Sequence, residues 1–145
     1  MAEYGELSVG LRKLLLLSTL IMARGSMAAC LLTDYSVKAE YDRSDAVAVA
    51  QVVSERVVPP SKGEDSLGGT LYTVKIEEWL RRAPRDTVEV FSENSRFPMK
   101  RGVPYLLFLY EAQGQLSADN CGNSGPISDK KNALDIVPQL AEAKR

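Results

Sequence analysis

From Ala46 to Val53 the chain alternates two apolar sets, Ala46/Ala48/Ala50/Val52 and Val47/Val49/Val53, and only Gln51 interrupts them. Successive side chains of a strand point to opposite faces, so a segment apolar in both sets is covered on both sides. A central strand with one small-residue face is expected. Pro59, Pro60, Gly63, Gly68 and Gly69 make residues 58–69 a polar loop, because proline cannot donate to a ladder and glycine favours turns. Thr70 to about Arg82 sets Tyr72, Val74 and Ile76 against Thr73, Lys75 and Glu77 until Trp79 and Leu80 break the phase, which a bulge near Glu77-Glu78 restores. Ala83-Pro84-Arg85-Asp86 is turn chemistry, and Thr87 to Ser92 is the return strand with Val88 and Val90 inward. Tyr105 to Tyr110 is apolar throughout and bounded by Gly102 and Pro104, which predicts the most buried strand; Gln113-Gly114 then turns into a short partner near Leu116. The core is thus built on five strands.

Short helices flank this β-rich stretch. Thr33-Asp34 can cap one running to about Arg43, with Val37 and Tyr41 a turn apart on one face and Ser44-Asp45 ending it. Ser128 can cap a second, whose Ala133, Leu134, Ile136 and Val137 form an apolar stripe that Pro138 stops or kinks. Upstream, Arg12-Lys13 precedes the apolar run Leu14 to Ala23, with small residues following at Ser26, Ala28 and Ala29. That is the layout of a cleavable signal peptide. As a helix the run spans only about 15 Å, half of the roughly 30 Å hydrocarbon core, so it is a poor permanent span. The reading is residues 1–29 as a cleaved signal peptide, then one domain over residues 30–145, exported to a periplasmic or secreted destination.

Composition narrows the chemistry. The net charge is -1; Arg12, Lys13 and Arg24 against Glu3 and Glu6 give residues 1–29 a charge of +1, leaving -2 for residues 30–145. This offers no bulk attraction to nucleic acid. The absence of histidine removes the commonest general base, the commonest zinc ligand and every Ser-His or Cys-His catalytic arrangement. An enzyme is not expected, nor a cofactor or an intrinsic metal. The basic clusters Arg81/Arg82/Arg85 and Lys100/Arg101 read as solvated turns, and Glu77-Glu78 as surface carboxylates on opposite faces of a strand.

Two cysteines, Cys30 and Cys121, leave two alternatives. Ser26 and Ala28 suit an ordinary signal peptidase, giving Ala29-Cys30 at the mature start and, in an oxidising compartment, a Cys30–Cys121 disulfide. Met27-Ala28-Ala29-Cys30 instead resembles a lipobox, in which Cys30 carries a lipid anchor. A bridge would close a loop of 121 - 30 + 1 = 92 residues. In a chain-entropy treatment that contributes about 4.6 kcal/mol.

A leading Cys30, a short helix, Ser44-Asp45-Ala46-Val47-Ala48-Val49, Tyr72-Thr73-Val74 through Trp79, Gly102-Val103-Pro104-Tyr105-Leu106-Leu107-Phe108-Leu109 and Asn120-Cys121 together resemble the bacterial branch of the tissue inhibitor of metalloproteinases family. The resemblance covers nearly all of residues 30–145. It implies a mainly β fold, a five-stranded OB-type Greek-key barrel with short N- and C-terminal helices. It also implies a partner, a zinc metalloprotease, whose metal is chelated by the α-amine and carbonyl oxygen of Cys30 while Leu31 enters the specificity pocket. Leu32 stands where the family's second cysteine falls, and Ser95 where many relatives carry another. The alternative function is an envelope-associated structural or protein-binding module that keeps the barrel and has lost the zinc-chelating start.

Overall fold

Strand β1 (Ala46–Val58) carries the Ala/Val alternation into space and pairs along both edges. The structure, a computed structural model, describes residues 33–61, 67–81, 85–94 and 96–144. The expected signal segment, residues 1–29, and the expected site residues Cys30 and Leu31 lie outside the described residues. In chain order follow α1 (Val37–Arg43), β1, β2 (Gly69–Arg81), β3 (Thr87–Glu93), β4 (Pro104–Ala112), β5 (Gln115–Ala118), the two-residue β6 (Gly125–Pro126), a 3-10 turn (Ile127–Asp129) and α2 (Lys131–Glu142). No helix among the described residues is long and apolar enough to cross a membrane.

The protein is mainly β, and five of its strands close into a ring. β1 pairs antiparallel with β2 and β2 with β3; β3 runs parallel to β5 over Val90–Leu116 and Phe91–Ser117 only; β5 returns antiparallel to β4, and β4 to β1. β6 adds to β4 at Tyr105 and Leu106. β1 is covered on both edges only as far as Gln51, where the β4 pairing ends. Between β4 and β5 the chain reverses through Gln113 and Gly114, both at positive φ (53° and 80°), the backbone twist that a two-residue hairpin turn requires.

The alternation along β1 separates two cores. Ala46, Ala50 and Val52 face the inside of the ring with Val74, Val90, Leu107 and Leu109, where small side chains let the sheet coil closely. Val47 and Val49 face outward with Leu106 and Phe108, and the helices cover them through Val37, Tyr41, Ala133 and Val137. Leu106, Leu107, Phe108 and Leu109 are all fully buried. This agrees with the expectation of a most buried strand at Tyr105–Tyr110. Phe97 and Tyr105 complete the inner core edge to face, centroids 6.3 Å apart at 67°.

Several local expectations are corrected. β1 runs on to Val58, because its second half needs only β2 as partner, and Val53 is the extra residue where the register shifts between Val52 and Ser54, which leaves it 47% exposed. The phase break in β2 is repaired near the expected place, between the Val49–Glu78 and Ala50–Ile76 pairs, where Glu77 is skipped. Glu77 accepts a hydrogen bond from Gln51 Nε2 at 2.6 Å. The first helix is capped by Ser36, whose Oγ accepts from the Ala39 N–H at 3.3 Å; Asp34 Oδ1 accepts from the Ser36 N–H at 2.8 Å and so shapes the approach rather than the cap. Ser128 falls in the 3-10 turn and donates to Asp129 at 2.8 Å, leaving α2 without a side-chain cap. Pro138 lies inside α2, which continues to Glu142.

Candidate functional site

The expected edge begins at Cys30, and what the structure describes of it is the ground on which it would stand: Tyr35, the residues before α1, and the turn that carries Cys121. Helix α1 turns Val37, Glu40 and Tyr41 inward, and the two apolar side chains join the outer core. Glu40 is a carboxylate on the same buried stripe and is fully buried. A charge so placed is tolerated only when its oxygens accept enough hydrogen bonds.

Three groups supply them. Asn123 donates its backbone N–H to Glu40 Oε2 at 2.6 Å and its side-chain Nδ2 to the same oxygen at 2.7 Å. Tyr110, from β4, donates its hydroxyl to Oε1 at 3.2 Å. Burial, and then the negative charge of Glu40, push the Tyr110 phenol up to about 12. Gly122 packs directly on the carboxylate: a Cβ there would lie 2.0 Å from Glu40 Oε1. Lys130 closes the far side of the turn, its ammonium donating to the Gly122 carbonyl at 3.2 Å.

The same turn reaches the chain leading back to Cys30. Asn123 Nδ2 also donates to the Tyr35 carbonyl at 2.8 Å, and the Tyr35 hydroxyl lies 3.5 Å from Asp119 Oδ2. Asp119 Oδ1 accepts from the Cys121 N–H at 2.8 Å, which folds the Asp119–Cys121 stretch back on itself as an Asx turn. Ser124 fixes the other end to β4, its Oγ accepting from the Phe108 N–H at 2.8 Å and donating to the Phe108 carbonyl at 3.3 Å. Arg43 holds the approach to α1 by donating to the Asp34 carbonyl at 2.5 Å with its guanidinium 5.4 Å from the Tyr35 ring centre. The Asp34 carboxyl is held below the usual carboxylate range by the hydrogen bonds it accepts from the Ser36 backbone and side chain.

Beside the turn, next to the short β3–β5 pairing, lies an open groove of about 500 Å³ bordered by Phe91, Glu93, Arg96, Gln113, Asp119 and Asn120. Among the described residues no group of three or more Asp, Glu, Cys or His side chains gathers to hold a metal. Of the sequence-derived site residues, Cys121 is described and is not a free thiol. Cys30 and Leu31 lie outside the described residues. The sequence reading missed Glu40, Asn123 and Tyr110. Glu40 had a signal: it sits three residues after Val37 and one before Tyr41, a charged residue on the apolar stripe of α1. Asn123 and Tyr110 carried none, since 83 and 70 residues separate them from Glu40. The sequence matches no family model and no curated protein.

Proposed function

We propose that the protein is an exported OB-type domain that binds a zinc metalloprotease through its N-terminal edge. Residues 1–29 serve as the cleaved signal peptide, and Cys30 pairs with Cys121. The OB-type Greek key is supported by the strand order, β1-β2-β3-β5-β4 and back to β1, with β3–β5 the parallel pair. The edge itself is supported by one observation above the others. Asn123 holds Tyr35, five residues after Cys30, to the turn whose next-but-one preceding residue is Cys121. A chain extends at most about 3.3–3.6 Å per residue, and a disulfide needs Cα atoms about 4.4–6.8 Å apart, so a spacer of this length is compatible with the pairing.

In this reading the free α-amine and the carbonyl oxygen of Cys30 are the two donors. A neutral amine and a carbonyl are competent zinc ligands and displace the water from the open coordination position of a catalytic zinc. Leu31 follows into the apolar pocket beside the metal. The bridge to Cys121 holds both donors at the tip of a rigid body, so little conformational freedom is lost on binding.

The test uses three forms starting at Cys30: free amine, acetylated amine, and an added Ala29. Each is titrated against secreted zinc metalloproteases. The free-amine form inhibits; acetylation abolishes the effect because an amide nitrogen is a very poor zinc donor, and Ala29 weakens it by moving the donor pair off the metal. A folded free-amine form that inhibits nothing refutes the reading. It then favours a second one, an envelope-associated binding module without inhibitory activity, to which the Leu32 departure from the family's second cysteine already points.

A further inference from the structure

We infer that the open side of β1, Val53–Val58, takes up an extended segment of another protein as an added antiparallel strand, one that sets a basic residue opposite Glu55 and an acidic residue opposite Arg56. Neither cysteine takes part, so the metalloprotease reading and this one stand or fall separately.

Three observations converge on this strand. First, the β4 side of β1 is paired as far as Gln51, and a single bridge from Val52 to Arg101 extends the cover by one residue. Beyond it, among the described residues, β1 pairs with β2 alone, from Ser54–Thr73 to Val58–Gly69. Along a strand paired on one side, alternate residues turn their N–H and C=O groups to the open side, where they form a template for a further strand. Second, the large apolar side chains exposed among the described residues are Val53, Val57 and Leu67, at 47%, 78% and 57%. Two of them stand on the open strand. Leu67 precedes Gly68, which packs against the Val58 carbonyl and the Pro60 nitrogen and so closes the same arm. Third, the open stretch has defined ends: the register shift at Val53, and Pro59-Pro60, which cannot donate to a ladder.

Charge decides the occupant. Residues that face each other across an antiparallel pair share a face of the sheet, so two copies related by a two-fold axis must pair about one residue and its own counterpart. Centring on Glu55 opposes two carboxylates, and centring on Arg56 opposes two guanidiniums; like charges directly opposite are destabilising. Centring on Ser54 runs the second copy into Gln51 and Val52, whose open side is already covered, and centring on Val57 or Val58 matches it with Pro59 and Pro60. A second copy is therefore disfavoured in every register. A different strand meets no such conflict. Glu55 lies across from Tyr72 and Arg56 across from Leu71, so the two charges stand on opposite faces of the arm, both exposed, with Val57 on the face of Glu55. Read in its own N-to-C direction, the complementary antiparallel strand runs apolar, acidic, basic against Val57, Arg56 and Glu55. The backbone ladder supplies attraction and the two charges supply the choice of partner.

The experiment titrates the full chain into a fluorescein-labelled synthetic peptide, Thr-Val-Glu-Lys-Thr-Val, and follows anisotropy. This peptide should bind about tenfold or more tightly than Thr-Val-Lys-Glu-Thr-Val, in which both cross-strand pairs turn repulsive. Combining Glu55→Arg with Arg56→Glu should reverse the preference; both sites are exposed, and Trp79 fluorescence shows that the variant is folded. Methylating alternate backbone nitrogens of the first peptide should abolish binding in one set and spare it in the other, because only one side of an added strand joins the ladder. No binding of the first peptide, equal binding of the two, a preference that does not reverse, or indifference to both methylated sets overturns the inference. A concentration-dependent dimer in sedimentation equilibrium that Val57→Lys dissolves makes a second copy the occupant, and overturns it as well.

Discussion

Gly122→Ala tests the buried carboxylate network with a single methyl group. Gly122 is not at positive φ, so alanine brings no backbone strain, and the whole effect is steric. The added Cβ would sit 2.0 Å from Glu40 Oε1, 2.6 Å from Cδ and 2.7 Å from Oε2, where ordinary contact begins at 3.4 Å. The end of a glutamate side chain ordinarily yields at little cost. Here it is fully buried and held by two donors from Asn123 and one from Tyr110. A shift of more than an ångström breaks both Asn123 bonds and leaves the buried charge with Tyr110 alone of its three donors. Two hydrogen bonds to a charged group, at about 1.5 kcal/mol each as a lower figure, put the loss at about 3 kcal/mol. An uncompensated buried charge takes it towards about 5 kcal/mol. A urea melt followed by the fluorescence of Trp79, the single tryptophan, measures it directly. In a Glu40→Ala background the obstacle is gone, and Gly122→Ala should then be nearly neutral. A loss below about 1 kcal/mol in the unaltered background, or the same loss in both, would refute the reasoning.

Three other outcomes are expected. Leu107→Ala removes a fully buried side chain from inside the ring and should destabilise by about 2 to 5 kcal/mol in the same melt; under about 1 kcal/mol would place β4 outside the core. Tyr110, pushed up to about 12 from an unfolded value near 10, keeps its proton longer when folded. Its contribution to stability is therefore complete below pH 10 and lost as pH rises towards 12, and Tyr110→Phe should remove the latest step of a tyrosinate absorbance titration; an unchanged curve contradicts the assignment. Protein recovered after export should begin at Ala29 or Cys30 by N-terminal sequencing, and an exported chain that begins at Met1 rules out the signal-peptide reading.

What could be read from the sequence depended on the range of the interaction that decided it. Ala46 to Val53 announced a strand with two different covered faces; as far as Val52 those faces are the ring interior and the helix layer, and Val53 is exposed. The bulge that skips Glu77 and the Gln113-Gly114 turn were legible because each follows from neighbours along the chain. Which edges meet was not legible. The parallel meeting of β3 and β5 and the return of β4 to β1 depend on contacts between distant residues that no local pattern encodes. Ser36 took the cap from Thr33-Asp34 because Asp34 already bonds the Ser36 N–H, a choice between adjacent Asx and capping geometries that composition cannot make. The Glu40 network failed to appear for the same reason as the ring: one charged residue on an apolar stripe hints at a partner without saying where it is.

The short parallel pairing of β3 with β5 bears on motion. Val90–Leu116 and Phe91–Ser117 are its full extent, while β1 to β2 is paired from Val47 to Val58. Of the pairings that close the ring this is the shortest, and it can part while the antiparallel pairings and the helix-covered face stay intact. Such sub-global opening draws on far less free energy than global unfolding. Backbone amides of Leu116 and Ser117 should therefore exchange with solvent deuterium well before those of Ala48 or Leu107, and the latch of the ring would lie beside the open groove rather than on the side braced by the helices.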